Sequence, residues 1–422
     1  MRVARLKLAN VRAIEAAEFR FRPGFNLVVG VNGVGKTTVL DALAVCLSDV
    51  VRRTNRLRGG GVRFDLADMR VGAGALDVAC DVEYGDDHER YGYVLHVPNE
   101  RAAPQEEKAG MPREQVHDTP ERAGFVGGSP PAATGHEPGG RPLAILFSTR
   151  RAVPSERTPP KSATAGGVNA AFSNALSKRR GLHLVEFELW MQVQEALRSE
   201  QSAESHVLAA LEAAVMRFLP DYRNFRLGGA SETGSIFLID RDAATLPAEL
   251  LSDGERGVLA LVLDLTRRLA QANPEMNDPA AEAEAVVLID EIELHLHPGW
   301  QRRIVGNLTN TFPQCQFIAT THSPQVIGEV EHDRIHIIAD GEVYSPSHSF
   351  GVDSSRVLEE VMDTASRTPS VNELLSKISE TIGDDRYSDA RDLLAELSGR
   401  LGENDSEVTR IQTLLDFLTD GA

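Results

Sequence analysis

The stretch from Gly30 to Thr37, Gly-Val-Asn-Gly-Val-Gly-Lys-Thr, fits the pattern G-x-x-x-x-G-K-[ST] and restricts the fold more than any other part of the chain. An apolar run, Phe25 to Val29, precedes it. A helical pattern follows from Thr37 to Leu47, apolar at Val39, Leu40, Leu43, Ala44 and Leu47. Strand, glycine-rich turn and helix in this order bring backbone N–H groups and the positive end of a helix around a phosphate. Lys36 then reaches the β- and γ-phosphates, and the Thr37 hydroxyl reaches Mg²⁺. Asn32, Gly33, Gly35 and Thr38 complete the cofactor cradle. The competing reading is a chance glycine-rich turn, and the correct flanks argue against it.

A chain of 422 residues accommodates one large domain or two to three smaller ones. The first residues, Met1 to Leu6, lead into no long apolar segment, so no secretory signal is expected. No apolar run approaches the roughly 18 residues of a membrane helix. Cys46, Cys80 and Cys315 lie far apart without metal-type spacing, which predicts reduced, buried thiols and a cytoplasmic location. The net charge of −18 argues against a protein coated for DNA binding. The charge is uneven, however. Residues 353–422 are acid-rich, whereas residues 1–24 and 50–70 each carry an excess of bases, including Arg52, Arg53, Arg56 and Arg58. Either a basic face with an acidic tail or an ordinary mixed surface fits this distribution.

Alternation predicts a strand over 3–9, a hairpin partner near Phe19 to Phe21, and paired strands over 76–84 and 91–97. Residues 50–61 read as an exposed Arg- and Gly-rich loop. From Pro98 to Pro142 the chain is rich in Pro, Gly, Glu and Ala, which predicts an insertion without order. A strand over 143–147 ends in Ser148-Thr149-Arg150-Arg151, where both arginines are candidates to face nucleotide or DNA. Residues 183–219 read as helical, 225–227 and 235–240 as strands, 253–270 as a helix, 284–290 and 316–321 as buried strands flanking a helix over 298–312, and 334–344 as a closing hairpin. Four amphipathic helices are expected after Val352.

Three further segments carry chemistry. Ala285 to Ile289 is an apolar run that delivers Asp290 and Glu291 at its end, as a buried parallel strand does at its carboxyl edge. Asp290 is placed to hold Mg²⁺, and Glu291 to orient the attacking water. Leu251-Ser252-Asp253-Gly254-Glu255-Arg256 opens a helix. Ser252 and Glu255 are spaced as a capping box, while Ser252 and the Gly254 amide at a helix start also suit a γ-phosphate, and both readings hold together. The run Phe317 to Pro324 reads as a buried strand ending in His322. His295 and His297 are spaced i, i+2 with no third ligand nearby, which makes a metal site weak.

The order of these motifs resembles the ABC-type ATPases of the SMC, RecF and OLD group, over residues 1–345. The resemblance implies an α/β fold. It consists of an ABC-ATPase head, with a mixed N-terminal sheet and a parallel P-loop sheet with flanking helices, a helical insertion and an α-helical C-terminal tail. It implies that two heads sandwich ATP and Mg²⁺, with Lys36, Asp290, Glu291 and His322 of one subunit completed by Ser252, Gly254 and Glu255 of the other. Leu6 to Arg12 resembles the family's opening strand and places Arg12 near the adenine side. Gln192 and Gln194 are candidates for the Q-loop. The Glu293 to Pro298 loop is expected to meet the opposing subunit. No long heptad repeat is present, which argues against an SMC or Rad-type tether. The segment after His322 is too short for a nuclease domain of OLD type.

The layout is similar to the ATPases of Septu-type and retron-associated phage-defence systems, which implies a homodimer or larger homo-oligomer with an HNH-type nuclease partner. It adds a reverse transcriptase and noncoding RNA as further candidates. The alternative is a RecF- or SMC-like DNA-binding ATPase of repair or recombination. A transporter subunit fits the opening strand and the Leu-His-Pro loop less well. The expected divisions are an N-terminal ATPase lobe with the P-loop (1–97), a disordered insertion (98–142), a strand and loop (143–182), a helical subdomain (183–224), a C-terminal ATPase lobe with signature, Walker B and His switch (225–350), and an acidic helical tail for partner docking or oligomerisation (351–422).

Overall fold

The computed structural model describes residues 1–57, 61–85, 89–99, 122–126, 140–152, 167–178, 180–181, 187, 190–191, 205–227, 237–241, 244–362 and 364–420. Two compact units divide the chain, Met1–Ser354 and Ser355–Ala422.

The first unit is built on two large sheets. Strands β1 (Arg2–Val11), β2 (Ile14–Arg20), β4 (Ala75–Tyr84), β5 (Glu89–Pro98) and β6 (Arg122–Val126) form an antiparallel sheet in the order β2-β1-β4-β5-β6. Burial alternates strictly along β4, as it must where one face meets a core and the other meets solvent. Strands β3 (Phe25–Val29), β7 (Leu143–Phe147), β11 (Ala285–Ile289), β12 (Cys315–Thr321), β13 (Ile335–Ala339) and β14 (Glu342–Tyr344) form the second sheet in the order β14-β13-β3-β12-β11-β7. All its pairings are parallel except β13 with β14. Strands β3, β7, β11 and β12 are buried along their whole length, the pattern of a parallel sheet covered on both faces.

The helix Lys36–Thr54 belongs to the core shared by the two sheets. Val39, Leu40, Leu43 and Leu47 are buried in one cluster with Leu6, Val78, Val82 and Leu95 of the first sheet and with Leu146, Leu288 and Ile318 of the second. This helix runs to Thr54, into the segment expected to be a loop. Val50 and Val51 continue its apolar pattern, and Arg52 and Arg53 suit its negative C-terminal end while pairing with Asp49. A third, smaller antiparallel sheet joins β8 (Arg223–Leu227), β9 (Phe237–Arg241) and β10 (Ala244–Pro247), beside the helix Ser205–Phe218. Most of the helical region expected over 183–204 lies outside the described residues, as do Gln192, Gln194 and Arg58.

Inside the 98–142 segment, expected to lack order throughout, Arg122–Val126 pairs with β5 from Gly92↔Val126 to His96↔Arg122. A run of five residues around Phe125 is enough to extend an existing edge, because the partner strand supplies the template.

In the second unit, the helices Pro369–Gly383, Tyr387–Leu401 and Ser406–Asp420 bury a single core. Val371, Leu374 and Ile378 of the first, Ala390, Leu394 and Leu397 of the second, and Val408, Ile411 and Leu415 of the third recur at helical spacing and meet there.

Candidate nucleotide site

Strand β12 lies between β3 and β11, so the P-loop and the Asp290–Glu291 turn leave the sheet at the same carboxyl edge, two strand spacings apart or about 10 Å. That edge is where open parallel sheets bind ligands. The P-loop backbone needs its glycines. Gly30 has φ 156, and a Cβ there would stand 2.7 Å from the Ile338 carbonyl oxygen. Gly33 and Gly35 sit at φ 86 and 110. Gly35 is the N-cap of the helix Lys36–Thr54, and neither a capping side chain nor an acidic residue serves its first turn. The first-turn amides therefore keep their partial positive charge for an anion. Asn32 is exposed at the crest of the loop, and the Thr38 side chain is buried in the helix.

Lys36 curls back over the loop and donates through Nζ to the Gly30 carbonyl at 2.9 Å and the Val31 carbonyl at 3.0 Å. Burial draws its pKa down, while Glu291, Asp290 and Glu293 pull the other way. The Thr37 hydroxyl lies 3.2 Å from Asp290 Oδ1. Two cis ligands at the usual Mg²⁺–oxygen distance are about 3 Å apart, so this hydroxyl and carboxylate fit a shared Mg²⁺ with few protein ligands. Among the described residues no cluster of three or more His, Cys, Asp or Glu suits a metal. His297 instead caps the helix Pro298–Thr311, accepting from the Gly299 amide at 3.2 Å.

The acid turn is tightly held. The buried Thr320 hydroxyl donates to Asp290 Oδ1 at 2.7 Å and accepts from the Glu291 amide at 2.7 Å. Glu291 has φ 48, a left-handed backbone. Glu293 reaches to the end of β12, where its carboxylate accepts from the Thr321 hydroxyl at 2.8 Å and from the His322 amide at 2.5 Å. Sequence reading assigned Glu293 only to a loop and gave Thr320 no duty. Their value lies in cross-strand contacts that no linear spacing reveals.

Three expected residues take other surroundings. Arg12, placed near adenine by resemblance, is engaged by carboxylates: Nη1 donates to Asp41 at 2.5 Å and Nε to Asp68 at 2.8 Å. Burial opposes its charge, but Asp41 and Asp68 more than offset this and raise its pKa. It ties the β1–β2 turn to the P-loop helix. Arg151, grouped with Arg150 as facing a ligand, is buried, and only Arg150 is exposed. Gly254 is also buried. A Cβ on it would lie 2.4 Å from the His295 carbonyl oxygen, so glycine here permits close contact with the 295–296 backbone.

Ser252 and Glu255 form the capping box of the helix Asp253–Ala272. Ser252 Oγ accepts from the Glu255 amide at 3.3 Å, and Glu255 Oε2 accepts from the Ser252 amide at 3.0 Å. Tyr222 donates to the other Glu255 oxygen at 2.7 Å. Burial would raise the Glu255 pKa, but these bonds outweigh it and hold the carboxylate lower than usual. Ser252 remains on the surface.

A parallel sheet with the P-loop strand and the acid-ended strand flanking a third, and a serine-capped helix packed on the loop behind the acids, give this chain a P-loop α/β head whose arrangement is similar to the ABC-type ATPases. Two AAA domain family models match it, one over residues 5–116 and one, whose description names the AbiEii toxin and a Type IV TA system, over residues 152–328. The chain is also similar to retron and Septu proteins. It is 36% identical over 225 residues to the Retron Ec83 probable ATPase of Escherichia coli, a match covering 52% of this chain and 41% of that protein's length. It is 21% identical over 399 residues to the Septu protein PtuA of Bacillus thuringiensis, covering 91% of this chain and 90% of that one. Among solved structures, an SMC head bound to the C-winged helix domain of ScpA aligns with a TM-score of 0.46 at 15% identity, over 82% of this chain and 97% of that one. No helix among the described residues is long and apolar enough to cross a membrane.

Proposed function

We propose that the chain binds ATP with Mg²⁺ and hydrolyses it, working as a head-to-head dimer or larger assembly that regulates an associated nuclease in defence against phage. The observation that carries this reading is the meeting of Lys36, Thr37, Asp290 and Glu291 at one edge of the parallel sheet, with Thr320 bonded to both acids. Lys36 and the P-loop amides bind the phosphates. Thr37 and Asp290 hold Mg²⁺, which screens phosphate charge when bound. Glu291 orients the attacking water, and His322 faces the γ-phosphate. Ser252 and the capped start of its helix serve the site of a second subunit. Similarity to retron and Septu proteins supports a role with defence partners, and the partner proposed is an HNH-type nuclease. A repair ATPase that grips DNA is the alternative, in which Arg52 and Arg53, both paired with Asp49, would supply part of the contact.

The test is hydrolysis and nucleotide binding by the purified chain. Glu291→Gln is expected to keep ATP binding and lower kcat about 10²-fold or more by losing water positioning. Lys36→Ala is expected to abolish binding. Turnover unchanged in Glu291→Gln, or affinity retained in Lys36→Ala, refutes the assignment. Co-expression with an HNH nuclease encoded beside the gene, followed by pulldown, tests the partner. Failure to co-purify and to protect cells from phage counts against the defence role.

A further inference from the structure

We infer that Arg151 is a positioning residue for hydrolysis, holding the backbone of the turn that presents Glu291 and joining that turn to the helix Asp253–Ala272. The inference rests on the ATPase reading above. Arg151 follows β7, which borders β11, and its side chain is only 6% exposed. Its guanidinium donates Nη1 to the Asp290 carbonyl and, at 3.2 Å, to that of Ser148, and it donates Nη2 to the Glu291 carbonyl at 2.5 Å. A buried arginine spent on consecutive main-chain carbonyls fixes a backbone. The turn needs fixing, because Glu291 has φ 48 and a left-handed non-glycine residue costs about 1–2 kcal/mol. Such a conformation persists only where its surroundings over-determine it. Here Thr320 holds the Glu291 amide and Arg151 holds the Glu291 carbonyl.

The same residue packs toward the helix that carries the Ser252 capping box. A Cβ on Gly257 would lie 4.0 Å from the Arg151 carbonyl oxygen. Arg151, Asp253, Gly254, Ile292 and Leu294 are among the residues lining a cavity of only about 10 Å³, so the turn and the start of that helix pack closely. A displacement of the first turn of that helix would therefore reach the Glu291 backbone through one side chain.

The test compares wild type, Arg151→Met and Arg151→Lys in the full chain, by ATP affinity, kcat and hydrogen exchange over residues 288–296. Arg151→Met is expected to lower kcat about 10-fold or more while ATP affinity stays within about 3-fold, since positioning acts on the barrier. Exchange over 288–296 is expected to rise, with residues 25–29 unchanged. Arg151→Lys, which can hold one carbonyl, is expected to recover part of kcat, and it carries the test if the methionine variant does not fold. Wild-type kcat and exchange in Arg151→Met overturn the inference, as does a loss of affinity that matches the loss of kcat. If wild type binds ATP without hydrolysing it, the ATPase reading fails, and the exchange measurement, made without nucleotide, still decides the role of Arg151.

Discussion

Asp264→Asn is expected to cost the Met1–Ser354 unit about 3–5 kcal/mol, the usual penalty for breaking a buried charge network. Asp264 lies on the helix Asp253–Ala272 and is fully buried. It accepts from Arg180, from Arg267 Nη2 at 2.8 Å and from Arg268 Nε at 3.1 Å. Those arginines carry the network outward, Arg268 to the carbonyls of Ala171 and Ser173 and Arg180 to that of Leu146 on β7. At an effective dielectric near 20, each pair about 4 Å apart attracts by about 4 kcal/mol, and desolvation returns much of this. Asparagine keeps the shape but leaves the buried guanidiniums of Arg267 and Arg268 and the partly buried one of Arg180 without that counter-charge. Trp190 and Trp300 both belong to this unit, so urea unfolding followed by tryptophan fluorescence reads the change. The control Asp333→Asn removes a half-exposed partner of Arg22 at 3.0 Å and should cost under about 1 kcal/mol.

The pH dependence supplies a second check on Asp264. Burial would raise its pKa, but Arg180, Arg268 and Arg267 overcome this and hold it far below the usual carboxylate range. A depressed folded pKa gives stability that is complete above the unfolded value of about 4 and is lost as pH falls below it. The difference between wild type and Asp264→Asn should thus be flat from pH 5 to 8 and shrink only in acid. A loss below about 1 kcal/mol at pH 7 would refute the role of this carboxylate as the counter-charge of the hub.

Gly254→Ala should cost about 1–3 kcal/mol and reduce hydrolysis more than ATP binding, because its Cβ meets main-chain atoms of His295 and Leu296 that cannot rotate away. Gly306→Ala, with open space around its Cβ inside the helix Pro298–Thr311, should be neutral or stabilising, and equal melting losses for the two would defeat the explanation. His336 is buried beside Phe21 at 5.1 Å, and burial lowers its pKa from 6.5 to about 4. The proton then favours the unfolded chain. Stability supplied by the neutral ring is complete above about pH 6.5 and falls by on the order of 3 kcal/mol by pH 4. His336→Leu should flatten that part of the stability curve, and an unchanged slope in denaturant titrations would count against the assignment.

Much of this architecture is legible in the chain because its strongest signals are local. The apolar runs Phe25–Val29 and Leu143–Phe147 became β3 and β7 at those bounds, and the strand expected over 284–290 became β11, one residue shorter at each end, since buried parallel strands need no alternation and end where polar residues begin. The capping box at Ser252 was readable for the same reason, as its partners lie three residues apart. Less was readable wherever a residue's role is set by a distant neighbour. Strand β10, with proline and exposed alanine, takes its structure from pairing with β9. Arg12 and Arg151 look alike in sequence, as basic residues at strand ends. One is claimed by Asp41 and Asp68, the other by the carbonyls of Ser148, Asp290 and Glu291.

The candidate catalytic carboxylate marks that boundary most clearly. Residue type and position after an apolar strand single out Glu291, yet they say nothing about how it is aimed. Its left-handed backbone is not a preference of glutamate, so the aim must come from outside the segment. The Thr320 hydroxyl accepts from the Glu291 amide from the neighbouring strand, and Arg151 grips the carbonyl from the strand on the other side. Thr320 also holds Asp290. One hydroxyl therefore sets the spacing between the acid proposed to hold the metal and the acid proposed to orient water. Moving β12 relative to β11 would disturb both acids together, whereas moving β7 would act through Arg151 on the turn alone. The order β12-β11-β7 thus surrounds the proposed chemistry with two separate restraints, one tied to the strand that ends at Thr321, just before His322, and one packed against the helix capped by Ser252.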